Sequence, residues 1–77
     1  MFYVYVLKNA QSMQYIGHTN NMERRINEHN SGLSPYTKGK GPWILFYKEE
    51  YETRSEAMKR EKFLKTGKGR TFLKELK

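Results

Sequence analysis

The chain has 77 residues, enough for a single domain over residues 1–77 with a small core. It contains no cysteine, which excludes a disulfide framework and a thiolate zinc site. Its formal net charge is +7, with fifteen Lys and Arg against eight Asp and Glu. No stretch approaches the ~20 apolar residues of a membrane-spanning helix, and the first residues lack the form of a signal peptide. We therefore expect a cytoplasmic protein with no membrane partner.

The first two predicted elements are β-strands. Phe2 to Leu7 is an aromatic and β-branched run, typical of a strand that is buried on at least one face. Residues 9–12 are polar and turn-like, and the apolar pattern resumes at Tyr15 to Gly17. Two short apolar runs joined by a polar turn predict a β-hairpin.

A helix is predicted next, from about Asn21 to Asn30. Asn20 followed by Glu23 resembles a capping box, with Asn in place of the usual Ser or Thr. Arg25 and His29 are four residues apart and border the thin apolar stripe of this helix. Their side chains are therefore expected on the side of the helix that faces the sheet.

A loop and a third strand follow. Residues 34–42 are rich in Gly and Pro, which predicts a loop, and Trp43 to Lys48 is a continuous aromatic run typical of a strand. The loop carries Lys38 and Lys40. These lysines are interpreted either as contacts to a phosphate backbone or as part of an ordinary connection.

Two helices complete the predicted order. The sequence Thr-Arg-Ser-Glu at 53–56 is a capping box, so a helix is expected from Arg54 to about Lys65. Gly67 and Gly69 are expected to end it, and Arg70 to Lys77 to form a short third helix. The order β-β-α-β-α-α predicts an α+β fold with a small, three-stranded, mainly antiparallel sheet flanked by helices.

Glu61 is anomalous on the predicted second helix. At 100° per residue, Ala57, Glu61 and Leu64 fall on one line, which places the carboxylate in the middle of the sheet-facing side. A buried carboxylate needs a cation, hydrogen bonds or a proton. Two interpretations follow: Glu61 binds a divalent metal, or it forms an internal ion pair with Arg25 or a similar base.

The positive charge is concentrated near the end of the chain. Between Lys59 and Lys77 there are eight basic residues and two acidic ones. A clustered basic excess indicates a polyanionic partner, and a solvated helix face is the alternative. The candidate nucleic-acid contacts are Lys38, Lys40, Lys59, Lys62, Lys65, Lys68 and Arg70.

The motifs taken together resemble those of the GIY-YIG nuclease family. Tyr3-Val4-Tyr5, nine intervening residues and Tyr15-Ile16-Gly17 match the paired motifs that name the family. Arg25, His29 and Glu61 then follow in the family's order. The sequence looks most like the short, stand-alone bacterial members and is similar at longer range to the N-terminal nuclease domain of UvrC.

This resemblance implies a metal-dependent endonuclease that hydrolyses DNA phosphodiester bonds, in repair or recombination, on branched, damaged or single-stranded DNA. Glu61 would hold one divalent metal, with Mg²⁺ expected and Mn²⁺ as the alternative. Arg25 would clamp the phosphate. The remaining candidate catalytic residues are Tyr5, Tyr15, His18 and His29.

The identity of the general base is open between Tyr5 and His18. A phenol is only about 0.1% ionised at neutral pH, so Arg25 and the metal are expected to lower the pKa of Tyr5. An imidazole at His18 is the second choice, although UvrC-like members tend to carry lysine there. The alternative function is a nucleic-acid-binding module with weak or no cleavage. Target choice is expected to come from the core or from a partner protein.

Overall fold

The computed structural model describes residues 1–76. A three-stranded antiparallel sheet of order β2-β1-β3 forms its centre, with three helices around it, as predicted. The elements are β1 (Phe2–Lys8), β2 (Gln14–Thr19), α1 (Met22–Asn30), β3 (Ile44–Tyr51), α2 (Arg54–Leu64) and α3 (Gly67–Glu75). Within residues 1–76, no helix is long and apolar enough to cross a membrane.

The central strand β1 is buried on both faces because helices cover the sheet on both sides. Val4 and Val6 point to one face and pack in a core cluster completed by residues of α2 and α3: Ala57, Leu64 and Leu73. Tyr5 and Leu7 point to the other face and pack with Trp43 and with partly buried residues of α1. Each face of β1 therefore carries its own cluster.

Trp43 belongs to the core and not to the third strand, which begins one residue later than predicted. Its indole Nε1 donates to the Thr37 carbonyl at 3.1 Å. Its backbone N–H donates to Asn30 Oδ1 at 2.6 Å, and Asn30 Nδ2 donates back to the Trp43 carbonyl. These bonds fix the connection between α1 and β3 against the sheet.

The two longer predicted helices begin close to the expected positions. Thr53 and Glu56 form the reciprocal capping box that the sequence predicts. At α1 the capping residue is Asn21, whose side chain accepts from the Arg24 N–H, so the prediction of Asn20 was wrong by one residue. The side chain of Thr19 accepts from the Asn21 N–H and so orients this cap.

The third helix begins earlier than predicted. Gly67 and Gly69 lie in its first turn, and Thr66 caps it by accepting from the Gly69 N–H. A Cβ on Gly69 would overlap the backbone of Phe63 and Leu64, so its lack of a side chain lets α3 pack directly on the end of α2. Gly69 therefore serves a close helix contact, whereas a Cβ on Gly67 would meet nothing within 4 Å. The predicted end at Lys77 lies outside the described residues.

An ion-pair network fixes α2 against β3. Arg60 binds Glu49 through two nitrogens, at 2.8 and 3.1 Å. The hydroxyls of Tyr47 and Tyr51 donate to the same carboxylate. Burial raises the pKa of Glu49, but these donors outweigh it and lower the pKa overall. Every oxygen of Glu49 is satisfied, so this network holds the helix that carries Glu61.

Candidate active site

Tyr5 lies at the centre of the candidate site, buried on the α1 side of the sheet. Its partner on the neighbouring strand is Gly17. A Cβ on Gly17 would lie 2.7 Å from Tyr5 Oη and 3.1 Å from the Tyr15 ring. Glycine at position 17 therefore leaves the space that the phenol occupies.

Arg25 and His29 reach Tyr5 from one face of α1, as their spacing predicts. Tyr5 Oη lies 3.0 Å from His29 Nε2, and Arg25 Nε donates to Tyr5 Oη at 3.3 Å. A guanidinium has donors only, so Tyr5 Oη accepts from Arg25. The phenol is thus held between a fixed cation and an imidazole.

His29 connects Tyr5 to the loop between α1 and β3 through hydrogen bonds on both ring nitrogens. Its Nδ1 lies 2.7 Å from Thr37 Oγ1, whose single proton is donated to the Ser34 carbonyl. Nδ1–H of His29 therefore donates to Thr37, and in a neutral His29 the Nε2 atom accepts from Tyr5 Oη. The Thr37 hydroxyl, fully buried, in turn lies 3.5 Å from the Ser34 carbonyl. Arg25, Tyr5, His29 and Thr37 form one hydrogen-bonded chain with a single direction.

Burial has the largest effect on the pKa values of Tyr5 and His29. It raises the pKa of Tyr5 to about 12, against the opposing effect of the Arg25 hydrogen bond. Burial also lowers the pKa of His29, with the nearby Arg25 charge acting in the same direction. Arg25 favours the phenolate as expected, but without a metal, burial outweighs it, and a net lowering of the Tyr5 pKa in the metal-bound protein stays a prediction. At neutral pH Tyr5 is a phenol and His29 a neutral imidazole.

The ring of Tyr15 joins the same cluster. Its centroid lies 4.6 Å from the His29 ring and 6.2 Å from that of Tyr5. On its outer side it contacts Tyr36, at 5.5 Å between centroids. Tyr15 therefore connects the buried chain to an exposed aromatic ring on the loop.

Glu61 forms a second group with His18 and Lys65. Glu61 Oε1 lies 2.6 Å from His18 Nδ1, and Lys65 Nζ donates to Oε2 at 2.7 Å. The expected pairing of Glu61 with Arg25 or a similar base is present, but the bases are His18 and Lys65, because Arg25 pairs with Glu28 at 2.9 Å. Burial raises the pKa of Glu61, but the Lys65 and His18 hydrogen bonds outweigh it, so the carboxyl is ionised.

The two groups lie on opposite faces of the sheet and meet at its β2 edge. His18 is paired with Val4, which points to the α2 side, whereas Tyr5 points to the α1 side. Glu61 thus lies at the rim of the sheet-facing side of α2, with a side chain 19% exposed, and not in its middle. Its charge still reaches Tyr5, since it contributes to the raised pKa of the phenol.

The donor set near Glu61 fits a hard divalent cation held by one carboxylate. No cluster of three or more His, Cys, Asp or Glu that could hold a metal occurs in residues 1–76. Mg²⁺ needs no such cluster, because it binds through one or two carboxylates and takes its other ligands from water and substrate phosphate. Lys65, the present partner of Oε2, is 53% exposed. An exposed pair of this kind is worth only about 0.3–0.5 kcal/mol.

Two clefts flank β2, and sequence reasoning missed a residue in each. A cleft of about 210 Å³ at the C-terminal end is lined by His18, Arg24, Arg25 and Arg54, among others. Arg54, which was not predicted, lies 3.3 Å from His18 Nε2. A cleft of about 300 Å³ at the N-terminal end is lined by Gln14, Tyr15, Ile16, Tyr36, Lys65 and Arg70. Tyr36 and the buried Thr37 carried no signal in a Gly- and Pro-rich loop.

The predicted nucleic-acid contacts are all exposed but do not form one surface. Lys65 and Arg70 line the cleft beside Tyr15, and Lys40 lies over the nearby Tyr36 ring. Lys59 and Lys62 line a separate depression on the outer side of α2. The remaining two, Lys38 and Lys68, line none of these clefts. The basic residues are thus divided between the candidate site and the back of α2.

Comparison with known proteins agrees with this geometry. The chain matches the model of the GIY-YIG catalytic domain over residues 1–74. A UPF0213 protein of Clostridium perfringens (strain 13 / Type A) is 47% identical over 66 residues, 84% of this chain and 71% of the relative. A UPF0213 protein of Staphylococcus haemolyticus is 45% identical over 65 residues, which cover 83% of this chain and 79% of the relative. The solution NMR structure of a UPF0213 protein from Bacillus halodurans is 34% identical, with a TM-score of 0.59, covering 100% of this chain and 86% of that one.

The family match makes this a small nuclease domain, for which DNA is the implied substrate. The chain belongs to the GIY-YIG family. Within that family it is similar to the UPF0213 proteins. The predicted likeness to UvrC stays a prediction.

Proposed function

We propose that this protein is a metal-dependent endonuclease that hydrolyses DNA phosphodiester bonds at the β2 edge of its sheet. One observation carries the proposal: the Tyr5 hydroxyl lies between the Arg25 guanidinium and a neutral His29. The arrangement suits a group that accepts one proton while it gives up another.

Tyr5 and His29 act together as the general base. A phenol oxygen has two acceptor positions, and Arg25 uses one, which leaves one for the attacking water. As the water oxygen attacks phosphorus, its proton passes to Tyr5 Oη and the Tyr5 proton passes to His29 Nε2. The P–O bond to the leaving oxygen breaks, the leaving oxygen takes a proton from solvent, and His29 later returns its extra proton to solvent. A free phenolate never forms, so the pKa of about 12 is not an obstacle.

Arg25 is proposed to bind the phosphate in addition to its hydrogen bond with Tyr5. It lines the cleft at the C-terminal end of β2 together with Arg24 and Arg54. A guanidinium stays charged and presents a planar set of donors that matches phosphate oxygens. Glu28 also lines the cleft and pairs with Arg25 at 2.9 Å and with Arg24 at 3.8 Å, so three guanidinium groups face one carboxylate. The cleft keeps an excess of positive charge and is the proposed position of a backbone phosphate beside the scissile bond.

Glu61 is the proposed metal-binding residue, with Mg²⁺ expected and Mn²⁺ as the alternative. When bound, the metal neutralises charge that develops on the phosphate and on the leaving oxygen. His18 orients the carboxylate through its Nδ1–H and is itself fixed on Nε2 by Arg54. Both nitrogens of His18 are thus engaged, so Tyr5 remains the better base. Lys65 leaves Oε2 when the cation binds.

The second candidate is a nucleic-acid-binding module with weak or no cleavage. It is favoured by the partners of Glu61, because both carboxylate oxygens already have a donor without any metal. Such a module keeps the clefts and their positive charge, but it makes no use of the Tyr5–His29 pair. Replacing the Glu61 carboxylate distinguishes the two functions, because only the nuclease requires it.

Branched, damaged or single-stranded DNA is the proposed substrate, with a role in DNA repair or recombination. The small site at one sheet edge supports this, because it contacts few nucleotides and suits a distorted strand better than a long duplex. A partner protein that supplies target choice and a cytoplasmic location belong to the same proposal.

The deciding experiment compares wild type, Glu61→Gln and the matched control Glu75→Gln on nicked, branched and single-stranded DNA. Glu75 is an exposed carboxylate on α3. Cleavage by wild type and Glu75→Gln that needs added Mg²⁺ or Mn²⁺, and its loss in Glu61→Gln with binding retained, is the expected result. Equal cleavage by all three proteins contradicts the metal role. Binding without cleavage by any of them favours the module.

A further inference from the structure

We propose that the cleft between Tyr15, Tyr36, Lys65 and Arg70 binds one unpaired nucleotide of the DNA substrate, with its base stacked on Tyr36. This subsite rests on the proposed function and specifies the substrate that it prefers: DNA with a nucleotide outside the helical stack, next to the scissile phosphate. The mechanism at Tyr5 makes no use of Tyr36.

Tyr36 is an exposed aromatic ring that the fold holds in place. Its side chain is 54% exposed, although it lies within 5.5 Å of the Tyr15 ring. The next residue, Thr37, is fully buried and bonded to His29, and its carbonyl accepts from Trp43. The backbone beside Tyr36 is thus anchored in the core. One side of the ring packs on Tyr15, and the exposed part is available to stack on a base.

The surroundings of Tyr36 have the charge that a nucleotide requires. Lys65 and Arg70 line the same cleft of about 300 Å³. That volume is at the lower end of the range for small-molecule sites, about 300–1,000 Å³. Lys40 Nζ lies 4.5 Å from the Tyr36 ring centroid, and an exposed contact of this kind is weak. A base can take the place of Lys40 on the ring while Lys40 moves to the phosphate.

The cleft adjoins the proposed catalytic groups through two shared residues. Tyr15 lines it and also packs on His29 and Tyr5. Lys65 lines it and also donates to Glu61. At the other end of β2 lies the arginine cleft. The strand β2 is six residues long. A DNA strand that runs along its edge contacts both clefts and passes the catalytic groups between them.

Stacking on Tyr36 requires a base that is free of its neighbours. In a paired duplex both faces of each base are covered, whereas an unpaired or extruded base exposes its π-face to protein aromatics. A tyrosine platform with cations around it is the common arrangement in proteins that bind single-stranded nucleic acid. The cleft thus selects for a bulge, a flap or a damaged site without reading the sequence.

The test uses Glu61→Gln protein, in which cleavage is removed, and duplex DNA with a single bulged 2-aminopurine. Tyr36→Leu removes the π-face, and Tyr36→Phe is the matched control that keeps it. Expected results are fluorescence quenching on binding by the parent and Tyr36→Phe proteins, and its loss in Tyr36→Leu. The Kd for bulged DNA should rise roughly 5- to 100-fold in Tyr36→Leu. The Kd for the fully paired duplex should change less than about twofold, since no base reaches the ring.

Three outcomes overturn the subsite: no quenching by the parent protein, equal weakening for bulged and paired DNA in Tyr36→Leu, or tighter binding of the same bulge made of RNA. Thermal unfolding of each variant establishes that the fold is kept. Quenching without any cleavage by wild type leaves the subsite standing and contradicts the nuclease proposal. Normal cleavage of paired duplex without quenching contradicts the subsite and leaves the nuclease proposal standing.

Discussion

Tyr5 and His29 share a hydrogen bond of 3.0 Å in which a phenol with raised pKa donates to an imidazole with lowered pKa. Both shifts have burial as their largest cause, so the sheet and α1 keep the two groups neutral and paired. Such a pair transfers a proton without first creating a buried charge. The two residues therefore act as one unit, and mutations in them should behave as changes to one unit.

Tyr5→Phe and His29→Gln should each lower single-turnover cleavage by about 100-fold or more, the usual contribution of a general base. The double variant should lose hardly more than either single variant, because each change already breaks the same proton path. Single-turnover rates on one DNA substrate measure this. Losses that multiply in the double variant would show that the two residues act independently.

The pH dependence of cleavage should report His29 and not a free phenolate. The active form has a neutral His29, whose pKa lies below 6.5, so the rate should rise with pH in the acidic range and level off near neutrality. If the phenolate had to form first, the rate would instead rise about tenfold per pH unit towards the Tyr5 pKa of about 12. A pH–rate profile between pH 5 and 10 distinguishes the two at constant metal concentration.

Acid should destabilise the protein through the same histidine. The unfolded chain takes up a proton at this imidazole near pH 6.5, whereas the folded chain resists it to a lower pH. His29 thus contributes stability that is fully present above about pH 6.5 and is lost as pH falls through the folded-state pKa. Urea unfolding at several pH values should show this slope in wild type. An unchanged slope in His29→Gln would contradict the assignment.

The sequence was sufficient for the parts of the site that depend on periodicity. Alternation along β1 and the four-residue spacing on α1 correctly bring Tyr5, Arg25 and His29 to one side of the sheet. A helical projection also marks Glu61 as facing the sheet, but it cannot tell which strand lies opposite. The strand is the β2 edge, which is why the partners of Glu61 are His18 and Lys65 and not Arg25.

The loop and the glycines were beyond such reasoning for a different reason. The positions of Tyr36 and Thr37 depend on hydrogen bonds from Trp43 and His29, which are distant in sequence. A Gly-x-Gly sequence is typical of a helix end, yet residues 67–69 begin α3, and Gly69 permits its close contact with α2. Both features result from tertiary packing, which leaves no local periodicity to detect.

Gly17→Ala should displace the catalytic phenol, whereas Gly67→Ala should not. An added Cβ at residue 17 lies 2.7 Å from Tyr5 Oη, and one at residue 67 meets nothing within 4 Å. Forcing Tyr5 to move should cost about 1–3 kcal/mol of unfolding free energy and most of the cleavage rate. Gly67→Ala, in the first turn of α3, should be neutral or stabilising by up to about 1 kcal/mol. Denaturant midpoints and cleavage rates of the two variants measure the contrast, and similar effects would contradict the space argument.

Lys65→Met should tighten metal binding, because Lys65 competes with the cation for Glu61 Oε2. Removing one positive charge from beside the carboxylate should strengthen Mg²⁺ or Mn²⁺ binding by about two- to tenfold, given the weak energies of exposed ion pairs. Lys62→Met is the matched control, since Lys62 is an exposed lysine of the same helix that makes no ion pair with Glu61 among the described residues. The rise in melting temperature with added Mn²⁺, without DNA, measures the affinity independently of cleavage. An identical metal dependence in both variants would mean that Lys65 does not occupy the metal position, and metal-induced stabilisation that persists in Glu61→Gln would place the cation elsewhere.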